Sequence, residues 1–143
     1  PLGGVGYGSD GGRFLGATFD PSGLYRQRAV FRWLDGLGLD TPAIHAHVIA
    51  LQERFLSGVE TLPPLAGARL VTPLEPGRGH FLTFETPQAP DLHRRLLAAR
   101  LVTDVRGDRL RCGFGCYHTT EEIDAGLARM RDVLGVSGSA SDC

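Results

Sequence analysis

Two hydrophobic periodicities alternate from residue 41 onward, and this alternation restricts the possible folds more than any other feature. Three segments repeat apolar residues at helical spacing, namely 41–58, 91–100 and 119–134. Four short runs have the pattern of β-strands, namely 69–72, 80–85, 101–105 and 109–114. Helices and strand pairs in this order predict an α+β domain, in which helices cover one face of a three- or four-stranded, mainly antiparallel sheet.

Local signals mark where these elements begin and end. Thr41 and Pro42 have the residue types favoured at a helix N-cap and first turn. The run from Thr119 to Glu122 has the spacing of a capping box. Arg106-Gly107-Asp108 predicts a hairpin turn between the last two strands, with glycine supplying a positive φ. The periodic segments are therefore bounded as separate elements.

The first forty residues differ from the rest. Residues 1–12 are rich in glycine and hold too little apolar matter for an element of their own. Asp20-Pro21-Ser22 then predicts a helix start, and apolar residues between Leu24 and Leu37 recur at near-helical spacing. We therefore divide the chain into residues 1–40, a domain at 41–136 and a polar tail at 137–143.

Charge and composition exclude several classes of function. The 143 residues carry 15 basic and 16 acidic side chains, a net charge of −1, so neither nucleic acid nor an anionic membrane is expected as a partner. No apolar stretch approaches the ~20 residues that span a bilayer. Three cysteines, an odd number, and the lack of a secretory signal favour reduced thiols and a cytoplasmic location.

All the basic residues are arginine, and the chain has no lysine. Since arginine stays protonated, this chain alone cannot supply the neutral amine that a Schiff base requires. Arg109 and Arg111 alternate along the last predicted strand and share one face of it. A guanidinium there offers a rigid fork of donors that suits a carboxylate, although the same pattern also fits solvated arginines of an edge strand.

Residues 110–124, with Leu110-Arg111-Cys112-Gly113-Phe114, Tyr117-His118-Thr119 and Glu121-Glu122-Ile123-Asp124, resemble the C-terminal region of class V aminotransferase-like enzymes. These are fold type I enzymes that depend on pyridoxal 5'-phosphate (PLP), and they include kynureninases and cysteine desulfurases. Upstream, Arg13-Phe14-Leu15-Gly16-Ala17-Thr18 resembles the segment that follows their PLP-binding lysine, with Ala17 where the family usually has glycine. The resemblance extends over residues 13–134.

The resemblance implies roles for two residues. Arg111 matches the arginine that holds the α-carboxylate of the amino-acid substrate. Thr18 matches the threonine that contributes to the PLP phosphate site of the neighbouring subunit, which implies a homodimeric parent. Residues 1–40 would then end the large cofactor domain, and residues 41–136 would form the small C-terminal domain.

The family's lysine has no counterpart here, so the resemblance implies a C-terminal fragment without a catalytic residue. We expect the parent to carry out transamination or kynureninase-like cleavage, and the 143-residue chain alone not to turn over. In cysteine desulfurases a nucleophilic cysteine precedes the substrate arginine in the small domain. The comparable stretch here, residues 103–108, has none, so we expect no desulfurase activity.

Other patterns allow different interpretations. Cys112, Cys116 and His118 could suggest a zinc site, but a fourth ligand at ordinary spacing is missing, and strand alternation places Cys112 in the core. We therefore expect no metal. His45 and His47 are expected on a helix surface, pointing in different directions. A noncatalytic module that binds an acidic ligand or a protein partner through Arg109 and Arg111 is the alternative function; it predicts that residues 1–40 belong to a closed domain.

Overall fold

The computed structural model describes residue 6 and residues 8–14 and 20–135. The chain divides into two compact units, Pro1–Asp40 and Thr41–Cys143. In the first unit, a 3₁₀ turn covers Gly11–Phe14, and helix α1 covers Ser22–Gly36. The helix ends where expected, because Gly38 adopts a φ of +69° that most residues avoid.

Helix α1 has no buried residue. Five of its large apolar side chains are exposed over about half their surface or more, namely Leu24, Tyr25, Val30, Phe31 and Trp33, whereas Leu34 is partly buried. An amphipathic helix of a closed domain buries its apolar face. The apolar side chains of α1 therefore form a surface of the kind that a further protein segment covers.

The described part of the second unit, residues 41–135, contains four helices and a four-stranded sheet. The helices are α2 (Thr41–Val59), α3 (Pro63–Ala66), α4 (Ala89–Ala98) and α5 (Thr120–Leu134). The strands are β1 (Arg69–Leu70), β2 (Phe81–Glu85), β3 (Asp104–Arg106) and β4 (Arg109–Gly113). All neighbouring strands are antiparallel, in the order β1-β2-β4-β3. The predicted α+β fold is confirmed.

Three details differ from the sequence prediction. The turn-rich segment after α2 holds the short helix α3, which begins at Pro63, a residue suited to a first helical turn. Strand β1 is shorter than expected because the Thr72 hydroxyl, not a backbone carbonyl, accepts the Thr83 N–H at 2.9 Å. Strand β3 begins late because the Leu101 N–H still bonds to the Leu96 carbonyl, at 2.9 Å, at the end of α4.

The core lies between the helices and one face of the sheet. The strands contribute Leu82, Phe84, Leu110 and Cys112. The helices contribute mainly residues at helical spacing, among them Val48, Leu51, Phe55, Leu92, Leu96, Ile123, Leu127 and Met130. The opposite face of the sheet carries most of its charged side chains, and it is the face on which the predicted site lies.

Local geometry follows the predicted end signals. The Thr119 hydroxyl accepts the Glu122 N–H at 3.2 Å, and the Glu122 carboxylate accepts the Thr119 N–H at 2.9 Å, which completes the capping box of α5. Gly107 has a φ of +59° in the two-residue turn between β3 and β4. No helix in the described part of the chain is long and apolar enough to span a membrane.

A buried polar cluster joins α2 to the loop before β2. Gln52 is fully buried on α2; its Oε1 accepts from Arg78 Nε at 2.8 Å, and its Nε2 donates to the Gly79 carbonyl at 2.9 Å. The Arg78 side chain is 8% exposed, and its guanidinium lies 3.8 Å from the exposed Glu53 carboxylate. One buried amide therefore satisfies a cation and a backbone carbonyl of the same loop.

Candidate functional site

The open face of the sheet places Arg109 and Arg111 side by side on β4, as strand alternation predicted. Backbone pairing sets their neighbours, because residues directly opposite in a sheet share a face. Arg109 lies opposite Glu85 and Arg106, and Arg111 lies opposite Thr83 and Asp104. Each arginine is therefore between two cross-strand partners.

Arg111 contacts one carboxylate and one aromatic ring. Its Nη1 donates to Asp104 Oδ2 at 3.1 Å, and the centre of its guanidinium lies 4.4 Å from the centroid of the Phe81 ring. A ring face attracts a cation, and the planar guanidinium stacks well on it. The Arg111 side chain stays 34% exposed, so the group is oriented but remains open to a ligand.

A shallow pocket of about 240 Å³ opens at this guanidinium. It is lined by Phe81, Val102, Thr103, Asp104, Arg111 and Gly113. Phe81 also lines a second pocket, of about 370 Å³, which the loop between β1 and β2 forms with Thr83. The open face therefore offers a cation in a pocket lined by both apolar and polar side chains, an arrangement that suits a small carboxylate.

Arg109 differs from Arg111 in its partners. Its Nε lies 3.2 Å from Glu85 Oε2, and Arg69 Nη2 lies 2.6 Å from the other oxygen of the same carboxylate. These contacts, led by the hydrogen bond from Arg69, hold the pKa of Glu85 below its ordinary value. Both arginines belong to ion-pair networks, but Arg111 also stacks on Phe81 and lines a pocket, which makes it the better candidate for ligand binding.

The second predicted binding residue, Thr18, lies outside the described residues. Its predicted contact with a cofactor phosphate stays a prediction. The chemistry of Arg111, a guanidinium at a pocket, fits the carboxylate of an amino acid, and the sequence has no lysine that could attach PLP.

The cysteines and His118 occupy different environments. Cys112 is buried in the core, and burial raises the pKa of its thiol to about 12. Cys116 is exposed, while His118 Nδ1 accepts the Gly115 N–H at 3.0 Å. Within residues 6, 8–14 and 20–135, no three His, Cys, Asp or Glu side chains are grouped to hold a metal ion.

The histidines of α2 have partners that the sequence did not indicate. His45 is half-buried, and its Nδ1 lies 3.3 Å from Nε2 of His80, with the two rings stacked. The expectation of a solvated helix-surface residue is therefore wrong for His45, because the segment before β2 folds over it. His47 is exposed as expected, and its Nε2 donates to the His118 carbonyl at 2.9 Å.

Sequence reasoning missed Phe81 and Asp104, the two side chains that contact Arg111. The contact of Asp104 could have been predicted from the sequence, because a two-residue turn at Gly107 and Asp108 fixes the strand register that places Asp104 opposite Arg111. The contact of Phe81 could not have been predicted, since the pairing of Phe81 with Gly113 depends on a strand about thirty residues away. It contacts Arg111 as a diagonal neighbour in the sheet.

Comparison with known proteins assigns the chain to a family. The family model described as the kynureninase C-terminal domain matches residues 44–130, a range that includes Arg111, Asp104 and Phe81. The chain belongs to this family.

A solved structure described as a NifS-like protein shares the fold, with a TM-score of 0.67 and 21% sequence identity. The match covers 93% of this chain and 39% of that one, so the chain spans about two fifths of the length of this relative. Among curated proteins, none matches the sequence.

Proposed function

We propose that this chain is the C-terminal, substrate-binding part of a PLP-dependent, class V aminotransferase-like enzyme that acts on an amino acid. The observation that carries the proposal is Arg111, an oriented and partly exposed guanidinium that lines a pocket on the open sheet face. A guanidinium of this kind pairs with a carboxylate through two parallel N–H donors. Membership of the kynureninase C-terminal family supports the reaction class.

In this function the residues of the chain bind and orient. Arg111 would hold the α-carboxylate of the substrate, which fixes the direction of the remaining substrate bonds. Phe81 and Asp104 would keep the guanidinium in place, and Thr18 would contribute to the phosphate site of a neighbouring subunit. The cofactor, when bound, supplies an electron sink for the reaction at the amino acid.

The proposal includes the nature of the parent protein. Of the two expected reactions, family membership favours kynureninase-like cleavage over transamination. The exposed apolar side chains of α1 support a parent in which a further domain or a second subunit covers them, as in a homodimer. The free thiols of Cys112 and Cys116 support a cytoplasmic location.

A free-standing, noncatalytic binding module is the other candidate. Such a module is expected to bury the apolar face of its helices, and α1 buries no residue. The exposed α1 therefore favours the enzyme part over the module.

The binding role can be tested on the 143-residue chain by NMR, with the arginine Nε–Hε signals as reporters. L-alanine should shift the signal of Arg111 with weak affinity, on the order of 10 mM, which a single charge-assisted contact supports. L-alanine methyl ester, which lacks the carboxylate, should leave the signal in place. Substitution R111Q should abolish the response of neighbouring amide signals, whereas the matched substitution R109Q should preserve it. Equal responses in R111Q and R109Q would refute the binding role.

A further inference from the structure

One carboxylate on the open face serves two guanidinium groups. Asp104 Oδ2 lies 3.1 Å from Arg111 Nη1 and 3.3 Å from Arg106 Nε. Both Asp104 and Arg106 belong to β3, and Arg111 belongs to β4. The proposed ligand-binding arginine therefore already has a negative partner within the same hairpin.

Backbone pairing holds this partner in place. Asp104 is directly opposite Arg111 in the antiparallel register, and the two-residue turn at Gly107 and Asp108 fixes that register. Arg106 adds a second cationic contact to the same oxygen. The hairpin therefore fixes the Asp104 backbone opposite Arg111, and two guanidinium contacts orient its carboxylate.

A ligand on Arg111 must therefore lie close to this negative charge. Asp104 and Arg111 line the same pocket of about 240 Å³, whose other lining residues carry no charge. Arginine has five N–H donors, and Asp104 contacts only Nη1, so a carboxylate can use the remaining donors. The rest of the ligand then lies within a few ångströms of the Asp104 carboxylate.

We propose that Asp104 is a specificity-determining residue, which makes the Arg111 pocket discriminate against substrates that carry a second carboxylate. This inference rests on the proposed binding role of Arg111. A zwitterionic amino acid has an ammonium group that offsets the repulsion of its carboxylate by Asp104. An acidic amino acid adds a second negative charge in the same pocket. Repulsion between two unit charges at about 4 Å in a water-like dielectric changes affinity by about fivefold, and the Arg106 contact with Asp104 makes this an upper bound.

The test compares L-alanine with L-aspartate on the full 143-residue chain, with the Arg111 Nε–Hε signal as reporter. Wild-type protein should bind L-alanine more tightly than L-aspartate, by at most about fivefold. Substitution D104N should alter both affinities, because Asp104 also orients Arg111, but the ratio of the L-alanine affinity to the L-aspartate affinity should fall by up to about fivefold. The conservative substitution D104E should restore the preference.

The matched control is E85Q, which removes a carboxylate from the same sheet face beside Arg109 instead of Arg111. It should leave both affinities unchanged. A second measurement needs no substitution at Asp104: raised ionic strength should reduce the preference of the wild-type chain, because salt screens exposed charges.

The outcomes separate this inference from the proposed function. The role of Asp104 would be overturned if D104N kept the wild-type preference for L-alanine over L-aspartate, or if D104N and E85Q changed that preference equally. Arg111 would keep its binding role in either case. If D104N does not fold, a preference that is insensitive to salt would overturn it instead. Amino-acid binding that persists in R111Q would overturn the proposed function itself.

Discussion

Replacement of Gln52 by leucine should destabilise the Thr41–Cys143 unit strongly. The buried amide accepts from Arg78 Nε at 2.8 Å and donates to the Gly79 carbonyl at 2.9 Å, and leucine can do neither. A lost hydrogen bond to a charged group costs about 2 kcal/mol and one to a backbone carbonyl costs about 1 kcal/mol. The expected loss is therefore about 3 kcal/mol, since both partners stay buried without a replacement.

Urea denaturation followed by circular dichroism measures this loss. With a slope of about 1.5 kcal/mol per molar, typical of a domain of this size, the midpoint should fall by about 2 M. Substitution E53Q is the matched control on the same helix, because Glu53 is exposed and lies 3.8 Å from the Arg78 guanidinium. It should change the free energy of unfolding by less than about 0.5 kcal/mol.

A loss below about 1 kcal/mol in Q52L would refute the reasoning. It would mean that the loop before β2 moves to hydrate Arg78 and the Gly79 carbonyl. A loss of equal size in E53Q would assign the stabilisation to the ion pair and not to the buried amide.

Three further predictions concern other parts of the same unit. The hydrogen bond from Arg69 lowers the pKa of Glu85 from 4.5, so the stabilising contribution of Glu85 is complete above pH 4.5 and is lost as the pH falls through the lower pKa of the folded state. The free energy of unfolding of E85Q should therefore depend less on pH in this acid range than that of the wild-type chain. Burial raises the pKa of Cys112 to about 12, so iodoacetamide at pH 8 should label Cys116 and spare Cys112, as tandem mass spectrometry can show. Substitution T119A removes the capping hydroxyl of α5 and should cost about 1 kcal/mol in urea denaturation.

Each of these predictions has a control or an outcome that would contradict it. E60Q removes an exposed carboxylate just after α2. If E60Q changes the pH dependence of the free energy of unfolding as much as E85Q does, the role of Glu85 is contradicted. Labelling of Cys112 at the rate of Cys116 would show that the core opens readily. T120A removes a hydroxyl one residue further on, and a cost equal to that of T119A would assign the effect to helix propensity and not to the cap.

The sequence was most informative where structure is decided locally. Thr119 and Glu122 lie three residues apart, so their reciprocal hydrogen bonds could be predicted from spacing alone. Gly107 likewise marked a turn because glycine tolerates positive φ. Strand alternation placed Arg111 and Cys112 on opposite faces, and the structure has one at the pocket and the other in the core.

The parts that escaped prediction depend on contacts between distant segments. His45 and His80 are 35 residues apart, and nothing in either neighbourhood indicates their pairing. The contact of Phe81 with Arg111 needs the register of β2 on β4, which one sequence does not reveal. The burial of Gln52 could not be predicted for the same reason, because a polar residue on a helix is recognised as buried only once its hydrogen-bond partners are known.

Strand β4 lies inside the sheet, with β2 on one side and β3 on the other. Arg111 is therefore anchored by main-chain bonds in both directions, and its position does not depend on the connecting loops. Substitutions in the segment before β3, which contributes Val102 and Thr103 to the pocket, can reshape its wall while the Arg111 guanidinium stays where it is. A scaffold of this kind permits the shape of the pocket to diverge through loop changes alone.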